Sequence, residues 1–448
     1  MTVHRSVTVV GAGLAGSEAT WQLARRGIPV QLIEMRPVRS SPAHGSDLFA
    51  ELVCSNSLGG DRETTPAGIL KSELRRLGSL VLQIADATSV PAGNALAVDR
   101  ERFAREITDK VSGHPLVQVE RREMIDIPQG PVILATGPLT SEPLARAIAD
   151  AAGQDSLYFY DAAAPLILAE TIDMTVAYRK DRYSEEQDGD YINCPMTEEQ
   201  YSRFYEALVD AERAPLRDFE KKHYFEGCMP VEVLASRGVD TLRFGPLRPV
   251  GLEHPDTGKR PFAVVQLRQD NREGTVYNIV GFQTNLRWPE QERVFRLIPG
   301  LERVEFVRKG VMHRNIYINA PKVLNKALEL RGREQVYLAG QITGVEGYVE
   351  SAAMGVVAAL NLVERLRGRG PVAWPRETAL GSLVHRLGDD TVKRFQPTNV
   401  NLGLFPPLEE RIKGKPARCA AVARRAALAM NNFIGAEKIS SVSKIDFF

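Results

Sequence analysis

Cysteine is scarce in this sequence: four residues in 448, Cys54, Cys194, Cys228 and Cys419. No two of them form a CxxC pair, which excludes the usual dithiol and metal-finger spacings, and so few in so long a chain make no disulfide framework. Long apolar runs are missing as well. No stretch approaches the roughly 20 apolar residues of a membrane span, and Met1 to Arg5 leads straight into a strand-like run, so no signal peptide is expected. Nor is there an excess of charge: 57 Lys and Arg face 56 Asp and Glu, a formal net charge of +1. The overall balance announces neither a nucleic-acid nor a membrane partner, although a basic face offset by an acidic one is compatible with it. The seven histidines form no HxxxH or His–Asp pattern, and no metal site is expected. Internal repeats and low-complexity tracts are absent. What remains is an ordinary globular composition, 44% hydrophobic and 25% charged. The expectation is a reduced, cytoplasmic protein, too long for one core and divided into two or three domains.

The N-terminus carries the clearest signal. Residues 6 to 10 (SVTVV) are a short β-branched run, GAGLAG follows at 11 to 16, Leu14 to Arg26 reads as a helix that Gly27 can end, and PVQLIE at 29 to 34 reads as a second strand. Gly11, Gly13 and Gly16 match G-x-G-x-x-G. The first glycine makes a tight turn, the second lets backbone approach a pyrophosphate, and the third lets helix and strand pack closely. With Ala12, Leu14 and Ala15 they present a helix N-terminus, with its unpaired N–H groups and positive dipole end, to the phosphates. Glu34 ends the second strand, where an acid can bond an adenosine ribose. The same acid disfavours a 2′-phosphate, so NADP is not expected in this loop.

Two later features favour FAD over NAD there. The strand PVILATGP at 131 to 138 brings Thr136 and Gly137 to a turn. VYLAGQITG at 336 to 344, continuing to Gly347 and Tyr348, is a second glycine-rich strand-to-helix junction that an NAD fold does not need. Gly340, Gln341, Gly344, Gly347 and Tyr348 are its candidate cofactor contacts, and a helix from Tyr348 to Leu366 follows. Helices are also expected over 66 to 80 and from Ala97 to Lys110. Between about 166 and 325 the pattern changes to strand-like pieces (TIDMTVAYR, AVVQLRQD, VYNIVGFQT, VEFVR), a turn at Asp270 to Gly274 and an amphipathic stretch at 197 to 213. The expected fold class is α/β: a doubly wound, Rossmann-type FAD-binding domain (1–165 and 326–448) interrupted by an inserted α+β domain (166–325). The end, 385 to 448, reads as mostly helical and basic.

GAGLAG with EMRP at 34 to 37, AHGSDLFAELVCSNSL at 43 to 58, ATGPLTS at 135 to 141, AGQITGVEGYVESAAMG at 339 to 355 and FQPTNVNLGLFPP at 395 to 407 resemble the folate- and FAD-dependent tRNA uracil-5-methyltransferases known as TrmFO. The resemblance covers nearly the whole chain. It departs from the family's pattern at Gly59 and Gly60, where a basic residue is expected, and at Thr398, where Met is expected.

The resemblance implies methylation of C5 of the T-arm uridine of tRNA. Methylenetetrahydrofolate would be the carbon donor, reduced FAD the methylene carrier and hydride source, and NAD(P)H the reductant that refills the flavin. It implies no obligate protein partner. Uracil C5 is a poor nucleophile, and a thiolate adding to C6 makes it enolate-like. By resemblance Cys228 is that nucleophile, and Cys54 works beside the flavin as the C5 base or in handling the flavin adduct. Cys194 and Cys419 read as small buried hydrophobes. The uridine must be exposed or flipped to react, and a basic surface is expected around the site. Candidates are Arg243, Arg248, Arg268, Arg287, Arg308 and Lys309, with the run from Arg411 to Arg425. Three other readings stay open: the related flavoprotein that modifies wobble uridines, an NAD(P)H-dependent flavin oxidoreductase of a small molecule, and a tRNA-binding module whose flavin is purely structural.

Overall fold

The structure, a computed structural model, describes residues 6–41, 43–153, 157–184, 189–215, 229–392, 395–410 and 412–437. Strand β1 (Val7–Val10), helix α1 (Leu14–Ala24) and strand β2 (Val30–Glu34) form the expected opening unit. β1 is the middle of a five-stranded sheet. β2 and Val132–Leu134 flank it, Val117–Arg121 lies outside β2, and Val336–Leu338 lies outside Val132–Leu134. All four pairings are parallel. A parallel sheet is covered on both faces, which is why the strands Val132–Leu134 and Val336–Leu338 are short apolar runs buried throughout, while the edge strand Val117–Arg121 is polar and only part-buried. The register brings the C-terminal ends of β1, Val132–Leu134 and Val336–Leu338 side by side, so the three glycine-rich turns that follow them share one edge. That edge is where ligands bind in such sheets.

The helix Tyr348–Leu366 has the span expected of it and packs on α1. A Cβ on its Gly355 would collide with the Ala15 carbonyl, so its small residues are a packing requirement. Two buried carboxylates serve as caps for other helices. Glu18 accepts from Leu80 and Val81 N–H, and Glu73 from Ala379 and Leu380 N–H, satisfying first-turn donors that would otherwise be orphaned.

A second core lies between residues 167 and 304. It backs a six-stranded sheet in the order Tyr178–Arg179, Ile192–Met196, Ala263–Gln269, Val276–Ile279, Leu166–Leu168, Phe306–Arg308, with antiparallel pairing throughout. Helix Glu198–Val209 packs on it and opens with a capping box between Thr197 and Gln200. Leu157–Ala162 and Met312–Tyr317 pair antiparallel over six residues each and carry the chain in and out of this region. The molecule is thus the expected parallel flavoprotein-type sheet with an α+β insertion. Among the described residues no helix is long and apolar enough to cross a membrane.

Some local expectations are corrected. The helix expected over 66 to 80 is two helices, Pro66–Arg76 and Leu80–Ala87. Gly78, at φ +68°, turns the chain, and Ser79 caps the second helix. Ala97 belongs to the strand Ala95–Val98, and the helix begins after the N-cap Asp99. TIDMTVAYR yields only the two-residue strand Tyr178–Arg179. Between Gly388 and Gly414 the described residues hold a single 3-10 turn, Leu402–Leu404, in a stretch broken by Pro397, Pro406 and Pro407.

Candidate functional site

The glycine loop is fixed by its neighbours. Gly11 stands at φ +95°, and its N–H donates to the Ile33 carbonyl at 2.7 Å. A Cβ on Gly11 would lie 2.6 Å from the Ala135 carbonyl oxygen, and one on Gly16 would fall on the Gly11 carbonyl. Gly13 differs from both. It caps α1 at φ −70°, ψ −169°, with no side-chain hydrogen bond to the first turn, and a Cβ there would meet nothing within 4 Å. The protein's own packing does not require a glycine at 13. Gly13 lines an open cleft, and the α1 N-terminus beside it has no side-chain cap.

Glu34 is buried. One carboxylate oxygen accepts from the Ala12 amide at 2.7 Å, and the other from the Arg36 amide at 3.0 Å and Arg36 Nε at 2.9 Å. Burial works against its charge, but the Arg36 guanidinium and these amides outweigh burial and hold the carboxyl below its usual range. Arg36 reaches on to Glu51 at 3.3 Å. Sequence reasoning quoted Arg36 only as part of EMRP and missed this role. Its place two residues after the strand-ending acid was the available signal.

One cleft joins the two glycine junctions. It encloses about 990 Å³ of atom-free space, open solvent at its mouth included, and its walls include Gly11, Gly13, Leu14, Ala15, Glu34, Thr136, Gly137, Gly340, Gln341 and Tyr348. Ala12 and Gly16 stand behind the wall, with the Ala12 carbonyl taken by Ala50 N–H. Gly344 and Gly347 are likewise off the cleft. Both have positive φ, and a Cβ would strike the Phe395 ring or the Glu350 carboxylate respectively. They shape the second junction and do not line the cleft. That junction is paired with the segment containing Thr398, whose carbonyl accepts from Glu346 N–H at 2.8 Å and whose N–H donates to Gly344 at 3.1 Å. A cleft that runs from a pyrophosphate cradle to a second helix N-terminus fits a two-part cofactor longer than the nucleotide half alone.

Cys54 is half-buried; its neighbour Val53 and Tyr348 line the cleft, and Cys54 is not itself among the lining residues. The amides of Cys54 and Ser55 donate to the Tyr348 hydroxyl oxygen at 2.8 and 3.2 Å. Burial, and then the nearness of Cys54, push the Tyr348 phenol far up, so it is neutral. Cys228 lies outside the described residues. Cys194 is fully buried in the second core, where burial pushes its thiol far up. Cys419 sits half-buried on the helix Lys415–Glu437.

Of the candidate basic surface, Arg268 is corrected. It is 8% exposed and bonds Ser55 Oγ at 2.6 Å and Asn56 Oδ1 at 3.0 Å, joining the second sheet to the Cys54 segment. Arg308 also turns inward, donating to the Val53 carbonyl at 3.1 Å. Arg243 lies over the Phe262 ring and pairs with Asp240, Arg287 pairs with Glu212, and Lys309 pairs with Glu292. Arg248, Lys413, Lys415, Arg418 and Arg424 are exposed. Arg425 bonds the Pro406 and Pro407 carbonyls, and Arg411 lies outside the described residues.

The fold and the cleft define a nucleotide-binding flavoprotein of the doubly wound type, and comparison with known proteins gives the same class. The sequence pattern of the family described as "Glucose inhibited division protein A" matches residues 6–370. The solved structure of Aquifex aeolicus GidA superposes with a TM-score of 0.70 at 18% identity, covering 99% of this chain and 76% of that one. Within that class, a methylenetetrahydrofolate--tRNA-(uracil-5-)-methyltransferase TrmFO from Heliobacterium modesticaldum is 58% identical over 430 residues, 96% of this chain and 98% of its own. The protein of the same name from Enterococcus faecalis is 56% identical over 94% of this chain and 97% of its own. This chain belongs to the TrmFO family.

Proposed function

We propose that this protein methylates C5 of the T-arm uridine of tRNA, with methylenetetrahydrofolate as carbon donor, FAD as cofactor and NAD(P)H as reductant. The observation that carries the reading is end-to-end identity of 56 to 58% with proteins named for tRNA uracil-5 methylation. The cleft between the two glycine junctions supports the cofactor part.

In this reading Gly11, Gly13, Leu14 and Ala15 hold the pyrophosphate against the N-terminus of α1, and Glu34 takes the ribose. Thr136, Gly137, Gly340, Gln341 and Tyr348 border the flavin end, while Ala12, Gly16, Gly344 and Gly347 keep the turns in shape. Bound, reduced FAD supplies one-carbon carriage and hydride chemistry. The protein's own groups do the rest. Cys228 adds as thiolate to uracil C6, which makes C5 nucleophilic; Cys54, next to the cleft-lining Val53, removes the C5 proton once the carbon is in place, and the Cys228 thiolate leaves C6 as the C5–C6 double bond re-forms. Three guanidinium groups around the Cys54 segment give it the electropositive setting that a working thiolate needs. The middle unit, 166 to 325, would bring the base to the cleft. Arg248, Arg287, Lys309 and the exposed cations from Lys413 to Arg424 would meet the phosphates.

The test is one incubation: the yellow protein alone with tRNA, NAD(P)H and folate labelled in its methylene carbon. Label at C5 of the T-arm uridine is the expected result. Label at a wobble uridine would replace this reading with that of the longer flavoprotein relative. Oxidation of NAD(P)H that ignores tRNA and folate would replace it with a small-molecule oxidoreductase.

A further inference from the structure

The segment Leu52–Asn56, which carries Cys54, is gripped residue by residue from both cores. Arg100 Nη1 donates to the Leu52 carbonyl at 2.6 Å and Arg308 Nη2 to the Val53 carbonyl at 3.1 Å. The amides of Cys54 and Ser55 donate to the Tyr348 hydroxyl. Arg268 holds the side chains of Ser55 and Asn56, and Asn56 Nδ2 bonds the Val98 and Gln269 carbonyls at 2.9 and 2.8 Å. Five consecutive residues are fixed by side chains from four separate elements.

The charges around the segment do not balance. Among the described residues three guanidinium groups bond to it, and the carboxylate paired with one of them is Asp270. Asp270 is taken up by Arg100 in a two-pronged pair at 2.7 and 3.1 Å. Arg268 is satisfied by neutral acceptors. Arg308 is left over: among the described residues it has no ion pair, and its Nε is buried with no hydrogen-bond partner. Burial and then the Arg100 charge push the Arg308 guanidinium below its ordinary range, whereas negative charge at Asp270, Tyr348 or Cys54 acts the other way. Of those three, Asp270 is engaged and Tyr348 is held neutral. On the cleft side, Glu51 is tied to Gly45, Ser46 and Arg36.

We infer that Arg308 is a positioning residue whose uncompensated guanidinium keeps the Cys54 thiol in its thiolate form, the form a C5 base requires. This rests on the reading of Cys54 as a working thiol. A purely structural Arg308 would be satisfied by its hydrogen bond to Val53. Arg308 is part-buried and shares the carboxylate of Asp270, which Arg100 already holds, so a further negative charge is favoured beside it, and a thiolate at Cys54 would supply that charge. Arg308 is hydrogen-bonded to the residue before Cys54, and an opposite charge within a few ångströms of a titrating group moves its titration by about one to three units.

The experiment is the pH dependence of Cys54 alkylation by iodoacetamide in the flavin-loaded protein, followed by peptide mass spectrometry so that the four thiols are read separately. The parent midpoint should lie below the ordinary thiol value of about 8.5. Arg308→Gln should raise it by about one unit or more. Arg308→Lys, which keeps the charge and loses the planar fork, should raise it by less than half as much. Asp270→Asn removes the carboxylate of the cluster and should lower it. Arg105→Gln, at an exposed intrahelical pair with Glu101, should leave it in place.

The inference fails if Arg308→Gln leaves the midpoint unchanged, if Arg308→Lys moves it as far as Arg308→Gln, or if Asp270→Asn raises it. A Cys54 that the reagent never reaches in the folded protein also overturns it. Should Arg308→Gln not fold, the sign of the Asp270→Asn shift decides alone. None of these readings depends on carbon transfer, so loss of methylation with the midpoints behaving as stated would count against the proposed function and leave this inference standing.

Discussion

The two glycine junctions look alike in sequence and use their glycines for opposite ends. In the second, Gly340, Gly344 and Gly347 all have positive φ, and a side chain on any of them would strike Ala15, Phe395 or Glu350. The protein itself demands those glycines. In the first, Gly11 is required by positive φ and a close carbonyl and the helical Gly16 by a close carbonyl alone, but Gly13 has an ordinary extended backbone and empty space where a Cβ would point. Gly13 is the glycine of this motif that the fold does not require and that lines the cleft, which is the combination the proposed phosphate contact calls for.

Three substitutions test the difference, beginning with the most damaging. Gly16→Ala puts a methyl on the Gly11 carbonyl, and backbone cannot step aside as a side-chain tip can. A loss above about 4 kcal/mol is expected, read as loss of soluble folded protein or a collapse of the thermal midpoint; a folded Gly16→Ala of parental stability would break the account of the first junction. Gly344→Ala combines left-handed strain, about 1–2 kcal/mol, with a displaced Phe395 ring. It should lower the thermal midpoint while the flavin bound per folded molecule stays near parental, and selective flavin loss would put Gly344 back among the ligand contacts. Gly13→Ser is the gentlest to the fold, because serine is a better N-cap than glycine by a few tenths of a kcal/mol. The thermal midpoint of flavin-free protein should hold or rise, while flavin affinity falls at least about tenfold, a loss of about 1.4 kcal/mol, in equilibrium titration. Parental affinity in Gly13→Ser would sink the idea that this space belongs to a phosphate.

How much of this could be read in the sequence follows from the range of the interactions involved. β1, α1 and β2 were legible because their periodicity and glycine turn are local, and the same holds for Val132–Leu134 and the helix Tyr348–Leu366. The site was half legible. The glycines and Glu34 announce themselves by spacing, but the grip on Cys54 is made by Arg100, Arg268, Arg308 and Tyr348, which lie 46 to 294 positions away in the chain. Arg268 shows the difficulty well. Its strand alternates, with Val265 and Leu267 turned into the second core, so parity places Arg268 on the other face. Parity cannot say whether that face meets water or another domain, and here it meets the Cys54 segment. Thr398 shows the converse. It touches the second junction through its backbone, so a departure from the family's side chain there changes no contact that the junction uses.

The paired strands Leu157–Ala162 and Met312–Tyr317 bear on the order in which the molecule can assemble. Val336–Leu338 must find Val132–Leu134 across roughly 200 residues of chain, an entropic handicap for any sheet. Once the insertion has folded and its two ends are zipped together, the same search spans only roughly 40 residues of open chain, and a fivefold shorter loop lowers the closure penalty by about 1.4 kcal/mol. The neck converts a distant partner into a near one, so the insertion that interrupts the flavoprotein sheet on paper is also the element that draws its last strand home.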